Sequence, residues 1–118
     1  MKVDADEKWN VVLKDLRKGY LKHLPEKLAE AKNIWNLLIQ TWSEDKFLKF
    51  FRLVHGVAGT SATYKFVEIS HKARQLESFL QEIKVKNELK NSPCKEKKDE
   101  IDRLLNILIV TAHVSDKH

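Results

Sequence analysis

Five histidines occur in this chain of 118 residues, and one of them, His55, has neighbours that suggest chemistry. A neutral imidazole is a nucleophile without assistance, because an ordinary pKa of about 6.5 leaves much of it as free base at neutral pH. Two of the chain's three glycines, Gly56 and Gly59, lie within four residues of His55. Inside a helix each costs roughly 0.5–1 kcal/mol relative to alanine, so bare backbone there needs a reason. If Val54 marks the centre of a buried helical stripe, the ~100° step per residue puts His55 at the stripe's edge with its ring reaching solvent. Phe51 and Arg52 then lie one turn back, and Gly59 and Ala62 one and two turns on. Two readings stay open at this point. The glycines keep a ledge clear for a group approaching the imidazole, or they permit a close crossing by another helix beside an ordinary surface histidine.

Elsewhere the residues offer little chemistry. His23 lies beside Pro25 and His71 beside Lys72, both read as surface positions, and His113 and His118 are not spaced as metal ligands. There is no Gly-rich phosphate loop, no GxSxG, no HExxH and no paired-cysteine zinc spacing. The single Cys94 excludes an intrachain disulfide and fits a reducing, cytoplasmic setting. Met1 to Glu7 carries acids and no apolar run, so it does not read as a signal peptide. The most apolar stretch, Leu104 to Val110, is interrupted by Asn106 and falls far short of the roughly 20 residues a membrane span needs.

The elements that must position His55 follow from hydrophobic spacing. Leu24, Leu28, Ala31, Trp35, Leu38 and Trp42 step by four and three in alternation, as do Phe47, Phe50, Val54, Val57 and Ser61. Phe66, Ile69, Ala73, Leu76, Leu80 and Ile83 form a third stripe; Ile101, Leu104 or Leu105, Leu108 and Ala112 form a fourth. That rhythm is one face of an α-helix, and no segment alternates as a strand does. Three glycines and two prolines are too few for a sandwich or barrel. Ser43 before Glu44 and Asp45 reads as a helix N-cap, Thr63-Tyr64-Lys65 as a link between helices, and Asn91-Ser92-Pro93 as a break. Upstream, Trp9, Val12, Leu13, Leu16 and Tyr20 make a further amphipathic segment. A helix over about residues 6 to 22, a bend at His23-Leu24-Pro25 and a helix to Gln40 are expected. The reading is an all-α, antiparallel four-helix bundle with an additional or kinked N-terminal helix, residues 1–118 forming one domain.

Net charge is +5. Between Lys84 and Lys98 six lysines stand against two acids, Glu88 and Glu96, with no arginine and no aromatic. That composition suits a solvated loop better than nucleic-acid binding, which brings arginine or stacking rings.

The segment Phe50-Phe51-Arg52-Leu53-Val54-His55-Gly56-Val57-Ala58-Gly59-Thr60-Ser61-Ala62-Thr63-Tyr64, followed by Ala73-Arg74-Gln75-Leu76-Glu77, resembles the signature of histidine-containing phosphotransfer (HPt) domains. Tyr20 to Leu28 is also similar to that family's second helix, and the likeness spans roughly residues 9 to 115. The resemblance implies a bundle that relays a phosphoryl group in multistep two-component signalling, with His55 as phosphoacceptor and Gly59 as clearance beside it. Its partners would be receiver domains of response regulators or hybrid histidine kinases, which supply the aspartate and Mg²⁺; the domain itself would need no cofactor or metal and have no turnover of its own. Two positions depart from the family pattern, Ala58 where many members carry lysine and Lys65 where many carry glycine. Charge stabilisation would then fall to Arg52, with Lys65 or Lys72 as weaker candidates. The docking face is expected to comprise Leu48, Phe51, Arg52, Gly59, Ala62 and Lys72. A neutral imidazole needs no general base to activate it, so no acidic partner for His55 need be visible, and phosphoryl transfer itself is mostly positioning and charge neutralisation. The chain is too short for a kinase's ATP-binding domain. The alternative is a degenerate bundle that docks receivers without taking phosphate.

Overall fold

A computed structural model describes residues 4–86 and 91–116, with side chains from 8 to 86 and 91 to 115. The middle of the lysine run, the first residues of the chain and His118 lie outside the described residues, so the readings made there are not addressed. Four helices are present: α1 (Asp4–Gln40), α2 (Glu44–Thr63), α3 (Val67–Val85) and α4 (Lys95–Asp116). Each packs on its two neighbours around a closed square, α1 on α2 and α4, α3 on α2 and α4. The short links at 41–43 and 64–66 turn consecutive helices antiparallel. This is the all-α four-helix bundle expected from the stripes, and the described residues contain no strand.

The helix ends follow their local chemistry. Ser43 adopts extended backbone and its hydroxyl accepts from the Lys46 amide at 3.3 Å, while Glu44 and Asp45 occupy the positive end of the α2 dipole. α2 stops in a Schellman motif: the Phe66 amide donates to the Ser61 carbonyl at 2.8 Å and the Lys65 amide to Ala62 at 3.1 Å. That turn needs left-handed backbone at Lys65, whose φ is 63°. α4 begins just past Pro93.

The four stripes converge on one core. Trp35, Phe47, Phe50, Leu76, Leu80, Leu105 and Leu108 are fully buried, with Trp35 stacked on Phe50 at 5.7 Å between centroids. Trp42 and Phe66 are only half-buried and close the two ends. Buried Ser61 is satisfied by the Tyr20 hydroxyl at 2.8 Å, and burial raises the Tyr20 phenol above its ordinary pKa.

The N-terminal half departs from expectation. There is no separate or additional helix and no break at His23-Leu24-Pro25; α1 runs unbroken for 37 residues with Pro25 inside it. Pro25 is exposed, so the Leu21 carbonyl that loses its amide partner can be hydrated, while Leu24 and Leu28 on either side are held in the core. At 1.5 Å per residue α1 is a rod of ~55 Å, and it dominates a molecule measuring 62 × 27 × 19 Å. Only the turns before Arg17, which stacks on Phe66, extend past the bundle end formed by the α2–α3 turn.

Candidate functional site: an exposed imidazole held across α2 and α3

His55 projects from α2 one position past the buried Val54, and its side chain is 70% exposed. Opposite it, Glu77 projects from α3 one position past the buried Leu76, and its side chain is 17% exposed. The two flanks meet, and His55 Nδ1 is hydrogen bonded to Glu77 Oε2. A carboxylate at Nδ1 fixes the tautomer, with the proton on Nδ1 and the lone pair on Nε2. Among the described residues no group is bonded to Nε2, so the nucleophilic nitrogen faces outward. Tethering the ring to the neighbouring helix also removes rotational freedom that an isolated surface histidine would keep.

The surroundings are sparse. The Phe51 ring lies 6.3 Å from the imidazole and within 9° of parallel. Lys84 Nζ sits 4.9 Å from the Phe51 ring centre, a cation–π contact worth roughly 0.5–1 kcal/mol at an exposed site. A shallow hollow of about 510 Å³ opens beside the ring, walled by Phe51, Glu77, Ser78 and Gln81. A Cβ built on Gly56 or Gly59 would meet nothing within 4 Å. Neither glycine is therefore needed for a close helix crossing within the monomer; Gly59 lies one turn past His55 on the open side of α2, whereas Gly56 lines the cleft towards α1.

Phe51, His55, Gly59 and Ala62 follow one another at steps of four, four and three and share a face with Leu48, which is half-buried. The other expected residues fall elsewhere. Arg52 is exposed but lines the cleft between α1 and α2, with Tyr20, Lys27 and Gly56. Lys72 lies on the far flank of α3, in a hollow shared with Arg103 and Leu104 of α4. Lys65 closes the α2–α3 turn, and the helical rise puts Thr63 alone ~12 Å beyond His55 along the axis. Among the described residues none of these three cations is bonded to the imidazole or lines the hollow beside it. Ala58 is 1% exposed, and its carbonyl accepts from the Ser70 hydroxyl at 3.1 Å. That position faces α3, and a small residue there lets the two helices approach.

Two residues of the site were not foreseen. Glu77 was expected only as part of a motif, with no task, although its place one step past a buried leucine mirrors that of His55 one step past a buried valine. Lys84 was assigned to a solvated lysine run, and nothing in its local sequence shows that the helix persists to Val85 and aims it at Phe51. No group of three or more His, Cys, Asp or Glu among the described residues is arranged to hold a metal ion, and no described helix is long and apolar enough to cross a membrane.

Comparison of the chain with models of protein families, with characterised proteins and with solved structures returns no match.

Proposed function

We infer that this bundle is a phosphoryl carrier in which His55 Nε2 accepts the group from a phospho-aspartate, or from a kinase, and yields it to another aspartate. The observation that carries the reading is the orientation of one exposed ring: Nδ1 is held by Glu77, Nε2 has no partner among the described residues, and bare glycine backbone lies one turn further on. The resemblance of the segment around His55 to HPt domains points the same way.

In the forward step the Nε2 lone pair attacks phosphorus, the N–P bond forms, and the P–O bond to the donor aspartate breaks so that its carboxylate leaves. The imidazole ring carries the positive charge that develops, and the Nδ1 proton stays in its hydrogen bond to Glu77, which stabilises that charge. The reverse sequence delivers the group to an acceptor carboxylate. The equatorial oxygens need neutralising charge, and in this reading most of it comes from the partner, a receiver domain with its own Mg²⁺. Phe51, Leu48, Gly59 and Ala62 supply a low, mostly apolar landing surface, with Lys84 at its rim. A rim cation assists encounter with an acidic pocket, an effect that added salt weakens.

The test is incubation of the protein with radiolabelled phospho-receiver domains. Acid-labile, base-stable label is expected on the native chain and none on His55→Gln. Equal labelling of both overturns the assignment. A chain that binds receivers but is never labelled is the docking-only bundle instead.

A further inference from the structure

Of the two glycines beside His55, Gly56 is the one that the carrier reading leaves without a task. It sits inside α2, where glycine is among the least favourable residues, and a Cβ there would meet nothing within 4 Å. The space that its bare Cα leaves belongs to a narrow cleft of about 150 Å³ between α1 and α2. Arg52 and Thr60, one turn to either side of Gly56, line the same cleft, and Lys27 lines it from α1.

The polar groups that converge there are donors without an acceptor. Among the described residues neither Lys27 nor Arg52 has an acidic partner, and no acid lines the cleft. Glu30, one turn along α1 from Lys27, is exposed and paired with neither cation. Thr60 differs from Thr63 and Thr111, whose hydroxyls turn back onto the carbonyls four residues earlier. Thr60 is half-buried and its hydroxyl makes no such bond among the described residues, so its proton is available. Tyr20 completes the α1 wall, its hydroxyl already engaged by Ser61 at 2.8 Å.

Charge and geometry together select a ligand. Two permanent cations on opposite walls match a dianion. A planar carboxylate presents only two oxygens, whereas a guanidinium fork, an ammonium and a hydroxyl from separate positions suit the oxygens of a tetrahedral group. Without a Cβ at Gly56, such a group can rest against the α2 backbone between Arg52 and Thr60. We propose that the α1–α2 cleft binds a tetrahedral dianion, inorganic phosphate or the phosphate of a small monoester, through Arg52, Lys27 and Thr60 over Gly56. His55 lines the other hollow, towards α3, so this site does not depend on whether the imidazole carries a phosphoryl group.

Titration of the full nitrogen-15-labelled chain with inorganic phosphate at fixed ionic strength is expected to give saturable shifts confined to amides around Lys27 and from Arg52 to Thr60. Arg52→Gln and Lys27→Gln should each weaken binding roughly two- to fivefold, the range for an exposed ion pair. Gly56→Leu should abolish saturation by filling the cleft, with helical circular dichroism kept and the melting temperature held or raised. Lys72→Gln removes the same charge from another hollow, and His55→Gln removes the imidazole; both should bind phosphate with native affinity. Shifts that never saturate, or that survive Gly56→Leu, would mean general attraction to a basic chain and overturn the site. Loss of binding in His55→Gln would move the anion to the imidazole and overturn it too. Acetate competing as well as phosphate overturns the tetrahedral assignment. Tighter binding of methyl phosphate than of inorganic phosphate identifies a monoester as the ligand, and equal or weaker binding identifies the free ion.

Discussion

α3 has a hollow on each flank, of about 510 Å³ towards α2 and about 540 Å³ towards α4, and each has an imidazole at its rim. The α4 side holds the cations: His71, Lys72, Arg74 and Arg103 surround it. By charge alone that is the better place for a phosphoryl group. Its histidine is held differently, however. His71 Nε2 lies 3.5 Å from Gln75 Nε2, one turn on along the same helix, a long contact that engages the outer nitrogen. His55 instead reaches across to a second helix with its inner nitrogen and leaves the outer one unencumbered. On the proposed reading, nucleophilic readiness is set by which nitrogen is tied and by what, and nearby positive charge would be secondary to charge brought by a partner.

The largest contrast should come from removing each imidazole. On the proposed reading His55→Gln abolishes labelling by a phospho-receiver. His71→Gln and Lys72→Ala should leave the initial transfer rate within about twofold, since neither touches the His55 hollow. Labelling that moves with His71 would reverse the comparison. Next in size is the tether. A hydrogen bond to a charged group is worth about 1.5–3 kcal/mol, so Glu77→Ala should slow transfer by ~10–100-fold. Glu77→Gln should recover part of the rate, because an amide oxygen still accepts from Nδ1–H. Nitrogen-15 spectra of the imidazole are the readout a merely structural role would not move: the Nδ1–H tautomer should dominate in the native chain and give way to a mixture in Glu77→Ala. An unchanged tautomer ratio would separate Glu77 from the chemistry.

A smaller effect is expected at the ledge. Gly59→Leu places a branched side chain one turn from the ring, where the added Cβ itself meets nothing within 4 Å. Transfer should slow several-fold through obstruction of the incoming domain. Thermal stability should hold or rise, since leucine is better than glycine in a helix by roughly 0.8 kcal/mol. Native transfer rates in this variant would leave the glycine without a role in access.

How much of this was legible beforehand depends on whether a residue's task is set by its own helix. The buried faces were readable because a core stripe repeats within one element: of the positions picked out from Leu24 to Ala112, only Trp42 and Phe66, at the bundle's ends, are not fully buried. His55 was readable because its exposure follows from its offset from Val54. Arg52, Lys65 and Lys72 were placed by nearness in sequence, whereas the direction of each is decided by which helix packs on which flank: Arg52 lines the α1–α2 cleft, Lys72 the α3–α4 hollow, and Lys65 closes the turn. Glu77 escaped for the same reason, its function lying entirely in a contact 22 positions away. Pro25 does not divide the helix as expected. The propensity against proline in a helix is real, but here it acts on an exposed face and the buried leucines beside it prevail.

The smallest expected effect concerns the turn that joins the two flanks. Lys65 is the one described non-glycine residue with positive φ, and it occupies the C′ position of the Schellman motif, where glycine is favoured because it has no Cβ to collide with the following carbonyl. Left-handed backbone costs a side-chain-bearing residue roughly 1–2 kcal/mol. Part of that gain is offset by the greater conformational entropy that glycine gives the unfolded chain. Lys65→Gly should therefore stabilise the bundle by about 1 kcal/mol, seen as a higher denaturant midpoint with an unchanged slope. The same variant sharpens the reading of charge. If Lys65 is a turn residue and nothing more, transfer to and from His55 proceeds at the native rate. A clear loss of rate in a more stable protein would mean that its ammonium reaches the phosphoryl group after all, and that this side of α3 is less dependent on its partner's charge than the geometry argues.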